Sequence, residues 1–165
     1  MNKLFKVAVL ITAVLLSSVF TSCLSTEVAQ YGTEGNDTIA LNLTKDPNVG
    51  TLIVTHVNGE ATGGYVKYGA ASILTGAPDY KYINPLYVKL NGKPIIFTIM
   101  CPIVTGYNSR NEPKVEYRST ELRLTQLSDI KAGDVLTLKW MYQTQTFVFM
   151  DATGNIVQQT IPTFN

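Results

Sequence analysis

Short runs of alternating apolar and polar residues, each closed by a turn-forming residue, fill the chain beyond residue 36. The clearest is Val135 to Tyr142. There Leu136, Leu138, Trp140 and Tyr142 share one face, and Val135, Thr137, Lys139 and Met141 share the other, as a strand with one buried side requires. Similar patterns mark 37–43, 51–57, 65–72, 86–90, 146–150 and 156–161. Residues 114–118 and 121–127 read as one long strand broken near Ser119-Thr120, or as two. Ile95 to Met100 is apolar on both faces, which places it centrally. Asn58-Gly59 and Asn91-Gly92 tolerate the positive φ of a tight hairpin turn, and Gly63-Gly64 suggests a bulge. Ser128 to Asp134 and Asp151 to Asn155 read as polar turns. Prolines at 47, 78, 85, 94, 102, 113 and 162 argue against long helices. The expectation is an all-β fold: an antiparallel β-sandwich, immunoglobulin-like or related, of about 8–10 short strands.

The first residues obey other rules. Lys3 and Lys6 precede an apolar run from Val7 to Phe20, broken only by Thr12 and Ser17-Ser18. As a helix this run would span roughly 21 Å at about 1.5 Å per residue. A hydrocarbon core is about 30 Å thick, so a secretory signal is favoured over a spanning helix. Phe20-Thr21-Ser22-Cys23 follows. This tetrapeptide resembles the lipobox of bacterial lipoproteins, with Phe where that family prefers Leu. The resemblance covers the first 23 residues only. It implies cleavage before Cys23, a diacylglycerol thioether on its sulfur, and acylation of its new amine. Leu24, rather than Asp, follows the cysteine. In the Gram-negative members of that family this implies the outer membrane, with the periplasmic or surface face left open. The expected organisation is a signal peptide over 1–22, a small-residue polar tether over 23–36, and one sandwich domain over 37–165.

Charge and side-chain inventory narrow the function classes. The chain carries 13 Lys and Arg against 12 Asp and Glu. All the acidic residues follow Cys23, whereas Lys3 and Lys6 precede it, so the exported part is close to neutral. No basic stripe marks a nucleic-acid partner. With Cys23 acylated, Cys101 has no cysteine to pair with, and its place after an apolar strand suggests a buried thiol. His56 is the single histidine. A zinc site or a Ser-His-Asp set would have to be built on it alone, and no G-x-S-x-G elbow is present. No catalytic residues, metal site or cofactor are expected, and the chain does not read as an enzyme.

Binding is the class left standing. Two connections look long, 73–85 and 102–113, and long connections on a rigid sheet are where contact residues gather. Tyr80 and Tyr82 fall in the first; Tyr107, Asn108 and Arg110 fall in the second. Aromatic rings beside amide and guanidinium groups suit a glycan, a peptide or a protein partner. The expectation is a lipid-anchored binding module attached to the membrane through Cys23. The alternative is a structural or assembly subunit of an envelope or pilus-like complex, joined through an exposed strand edge.

Overall fold

A computed structural model of the protein describes residues 34–46, 49–67, 79–81 and 83–164. Among these residues there are thirteen strands and no helix: β1 (Thr38–Leu43), β2 (Lys45–Asp46), β3 (Gly50–Thr51), β4 (Ile53–Val57), β5 (Glu60–Ala61), β6 (Tyr65–Lys67), β7 (Asp79–Lys81), β8 (Leu86–Lys89), β9 (Ile95–Tyr107), β10 (Pro113–Leu124), β11 (Val135–Met141), β12 (Thr146–Met150) and β13 (Ile156–Thr160). A five-stranded sheet in the order β13-β12-β11-β1-β8 packs on a four-stranded sheet in the order β10-β9-β4-β5. Two short ribbons, β2–β3 and β6–β7, complete the fold. The fold is the expected all-β sandwich and not a closed barrel. Two-residue ribbon strands raise the strand number above the 8–10 expected.

The core forms because alternate residues of both sheets face each other. One sheet contributes Ile39 and Leu41 from β1, Leu136 and Leu138 from β11, and Phe147 and Phe149 from β12, all buried. The other contributes Phe97, Ile99 and Cys101 from β9, and Leu122 and Leu124 from β10. Each fully buried Leu, Ile or Phe stabilises the fold by about 1.5–3 kcal/mol relative to exposure. Phe97 meets Phe149 across the sandwich with ring centroids 6.0 Å apart. At the far end of β11, the Trp140 Nε1–H donates to the Pro102 carbonyl across the sheets at 2.9 Å, inside a cluster with Phe147 and Phe164.

Three sequence expectations are corrected. The sandwich is not wholly antiparallel, because β1 pairs parallel with β11. That register places Leu41 beside Leu136 and Leu43 beside Leu138, and β8 closes the other edge of β1 antiparallel. Ile39, Leu41 and Leu43 of β1 are thereby buried, which an edge position would not achieve.

Asn91-Gly92 is not a hairpin turn. It carries the chain from β8 in one sheet to β9 in the other. A two-residue type I′ turn needs positive φ at both residues. Asn58 (51°) and Gly59 (84°) meet that need and join the paired strands β4 and β5; of Asn91 and Gly92, only Gly92 (72°) has positive φ.

Residues 102–113 are not one long loop. Strand β9 continues to Tyr107 and β10 begins at Pro113, so the true turn is confined to 108–112. Pro102 is tolerated because β4 pairs with β9 only from Phe97 to Met100. Beyond that point no strand among the described residues is paired with β9 on the β4 side, so no ladder bond there asks for an N–H at Pro102.

Cys101 is buried, and its thiol donates to the Arg118 carbonyl at 3.4 Å. Burial pushes its pKa up to about 12 from an ordinary 9.0. The folded state therefore holds a proton that the unfolded chain loses above about pH 9, so this thiol's contribution to stability is lost as pH rises toward 12. Near pH 8 a thiol reagent is expected to label Cys101 only after denaturant is added. Stoichiometric labelling of the native protein, read by mass, would contradict this burial.

Candidate binding arm

The β9–β10 hairpin is longer than the core it helps to build. Its proximal part is buried through Ile103 on β9 and from Thr120 to Leu124, at alternate positions, on β10. Beyond that, no residue of β10 from Pro113 to Ser119 is buried, and Thr105 and Tyr107 are exposed on β9. The distal half is thus a two-stranded arm with one face open, at Lys114, Glu116 and Arg118, and the other half-buried, at Pro113, Val115 and Tyr117, where the Tyr117 hydroxyl donates to Thr51 O at 3.2 Å. A bulge between Lys114 and Val115 raises its local twist. Lys114, Glu116 and Arg118 alternate along it, with Glu116 and Arg118 3.3 Å apart as an exposed ion pair. Charged side chains of this kind discourage indiscriminate edge pairing.

Asn108 builds the tip. Its Oδ1 accepts from the backbone N–H groups of Arg110 and Glu112, both at 2.9 Å, and its Nδ2 donates to Glu112 Oε2 at 2.7 Å. Asn111 takes the positive φ (61°) that the turn requires. The Asn108 side chain is therefore engaged in shaping the loop. Tyr107 is 58% exposed, and the Arg110 side chain is exposed without an ion pair among the described residues. The structure brings Tyr107, Asn108 and Arg110 together at this tip. Tyr80 lies on β7 opposite Val66, and only its backbone is described. Tyr82, most of 73–85 and Cys23, the expected lipidation residue, lie outside the described residues.

Strand directions set where the arm points. The chain enters the fold at Thr38, which pairs with Lys89 at the end of β8. Only a short link separates Lys89 from Ile95, so β9 starts at the pole where the chain enters. From there β9 runs 13 residues, about 40 Å at about 3.3 Å per residue, to the tip. The arm ends at the pole opposite the chain's entry.

The turns at the entry pole frame a groove of about 440 Å³, lined by apolar Ile130, Val135 and Ile156 and by Asp129, Asp134 and Asp151. Two of these carboxylates serve the turns. Asp134 Oδ2 accepts from Lys131 N–H at 2.8 Å. Asp151 Oδ1 accepts from the Thr153 hydroxyl (2.7 Å) and from the backbone N–H groups of Thr153 and Asn155 (2.9 Å each). These bonds, the Thr153 hydroxyl foremost, lower the Asp151 pKa to about 2. His56 is exposed, with Nδ1 3.0 Å from the Thr55 hydroxyl. Among the described residues no group of three or more His, Cys, Asp or Glu is placed to hold a metal ion. No protein-family model, curated protein or solved structure matches this chain.

Proposed function

We propose that the protein is an outer-membrane lipoprotein whose mature domain is a non-catalytic binding module, held by lipid on Cys23 and presenting the β9–β10 arm to a partner. The observation that carries this reading is the arm itself: a hairpin reaching past the core, with Tyr107 58% exposed at the pole opposite the chain's entry. An anchor joined through residues 23–36 would tether the entry pole and leave the arm directed outward. Tyr107 offers apolar area with a polar edge at low entropic cost, and Arg110 adds a planar cation, the pairing enriched where protein surfaces meet. Peptide or protein partners suit this geometry better than a small molecule, because the arm is convex and small-molecule sites are concave.

Photocrosslinking in intact cells tests the proposal. With p-benzoylphenylalanine in place of Tyr107, a discrete adduct with another envelope macromolecule is expected. The same group in place of exposed Lys93, at the entry pole, is expected to give none of that species. Equal adducts at both positions, or none at 107, would remove the arm as the binding element.

A further inference from the structure

The outward face of the five-stranded sheet carries a second concavity, of about 290 Å³, whose chemistry differs from that of the arm. Its floor is a cross-strand row. Ala40 on β1 stands between Tyr87 on β8 and Val135 on β11, paired in register with both. Directly opposed residues stand about 5 Å apart, so a single methyl separates two larger walls and leaves a slot. Asn42, two residues along β1, lies on the same face, and Glu34 rims the slot where the chain enters. Tyr87 and Asn42 are half-buried, Val135 is 40% exposed and Glu34 is exposed. Neither the Asn42 amide nor the Glu34 carboxylate makes a hydrogen bond among the described residues, so their polar atoms are available to a ligand.

We infer that this slot binds a neutral sugar ring of an envelope glycan. A pyranose has an apolar C–H patch and a rim of hydroxyls, each both donor and acceptor. Tyr87, Ala40 and Val135 supply the apolar contact, and the Asn42 amide offers two donors and an acceptor. The Glu34 carboxylate adds further acceptors. Charge selects the class of sugar. Among the described residues lining the slot Glu34 is the only charged one, which disfavours phosphorylated, sulfated or carboxylated glycans. The volume sits at the small end of the roughly 300–1,000 Å³ of small-molecule pockets, which fits one ring and not an extended peptide. This site is separate from the arm and lies at the pole nearest the proposed anchor.

The test uses the full-length protein in detergent micelles on an array of short neutral and acidic oligosaccharides, with hits titrated by calorimetry. Retention of a neutral glycan is expected. Ala40→Leu, which fills the slot from the solvent side, and Tyr87→Ala should each weaken that binding by about tenfold or more. Tyr107→Ala should leave it unchanged, which separates this site from the arm. Asn42→Ala, which adds no bulk to the sheet, should also weaken binding and serves if the leucine disturbs the sheet. No neutral glycan retained, preference for acidic ones, or affinity surviving both Tyr87→Ala and Asn42→Ala would overturn the inference.

Discussion

Trp140→Ala is expected to remove about 3–5 kcal/mol from the free energy of unfolding, a large part of the roughly 5–15 kcal/mol that holds a domain of this kind together. The indole is 7% exposed and joins three parts of the fold. Its ring lies 4.6 Å from Phe147 on the neighbouring strand and 6.0 Å, edge-on, from Phe164 in the C-terminal tail. Its N–H satisfies the Pro102 carbonyl on the opposite sheet. Truncation opens a cavity, orphans that carbonyl and frees the tail, whose other tie is the Thr120 hydroxyl donating to Thr163 O at 2.8 Å. Trp140→Phe separates these effects. It keeps an aromatic ring in the cluster and leaves the carbonyl unpaired, for an expected loss of about 1–3 kcal/mol. Urea unfolding monitored by circular dichroism measures both. Tyr107→Ala, at the arm tip, is expected to stay within about 0.5 kcal/mol of the parent. A Trp140→Ala loss below about 1 kcal/mol would show that the two sheets do not depend on this pin.

The sequence exposed local periodicity well and pairing poorly. Alternation placed Leu136, Leu138 and Trp140 inward, and the structure buries all three. It also showed the Asp151 to Asn155 turn, because Asp side chains stabilise turns through their own following N–H groups. Partner choice is not local. Residues 37–43 read as a strand, yet nothing in them specifies a parallel neighbour nearly a hundred residues later. Asn91-Gly92 misled because tolerance of positive φ permits a hairpin without requiring one. Pro102 and Pro113 misled because proline is excluded from a strand only where a neighbour needs its N–H. At the arm, the exposure of Tyr107 and Arg110 was legible from the polar stretch around them. The engagement of Asn108 with Glu112 was not, since that run is equally compatible with an open loop. The slot formed by Tyr87, Ala40 and Val135 was invisible in one dimension, because three separate strands build it.

The second large effect concerns location. Cys23→Ser is expected to abolish lipid labelling of the protein and to block signal processing at that site, so that the variant migrates as a larger, unlipidated precursor that keeps its apolar run from Val7 to Phe20. A serine hydroxyl at the lipobox position cannot form the thioether, and each acyl CH₂ buried in a bilayer contributes about 0.8 kcal/mol. One chain holds a protein marginally and reversibly, whereas two or three hold it for its lifetime, so a fully acylated Cys23 would anchor the mature chain stably. The Trp140 variants should remain membrane-bound as long as they are exported, because anchoring acts upstream of the fold. Lipid labelling of Cys23→Ser, or its cleavage to the mature size, would contradict the anchor assignment.

Mass spectrometry of the N-terminal peptide from protein purified out of its native membrane tests the central claim most directly. The account predicts a mature chain beginning at Cys23, with a diacylglycerol on sulfur and an acyl group on nitrogen. A free thiol at Cys23, or a mature terminus elsewhere, would contradict it.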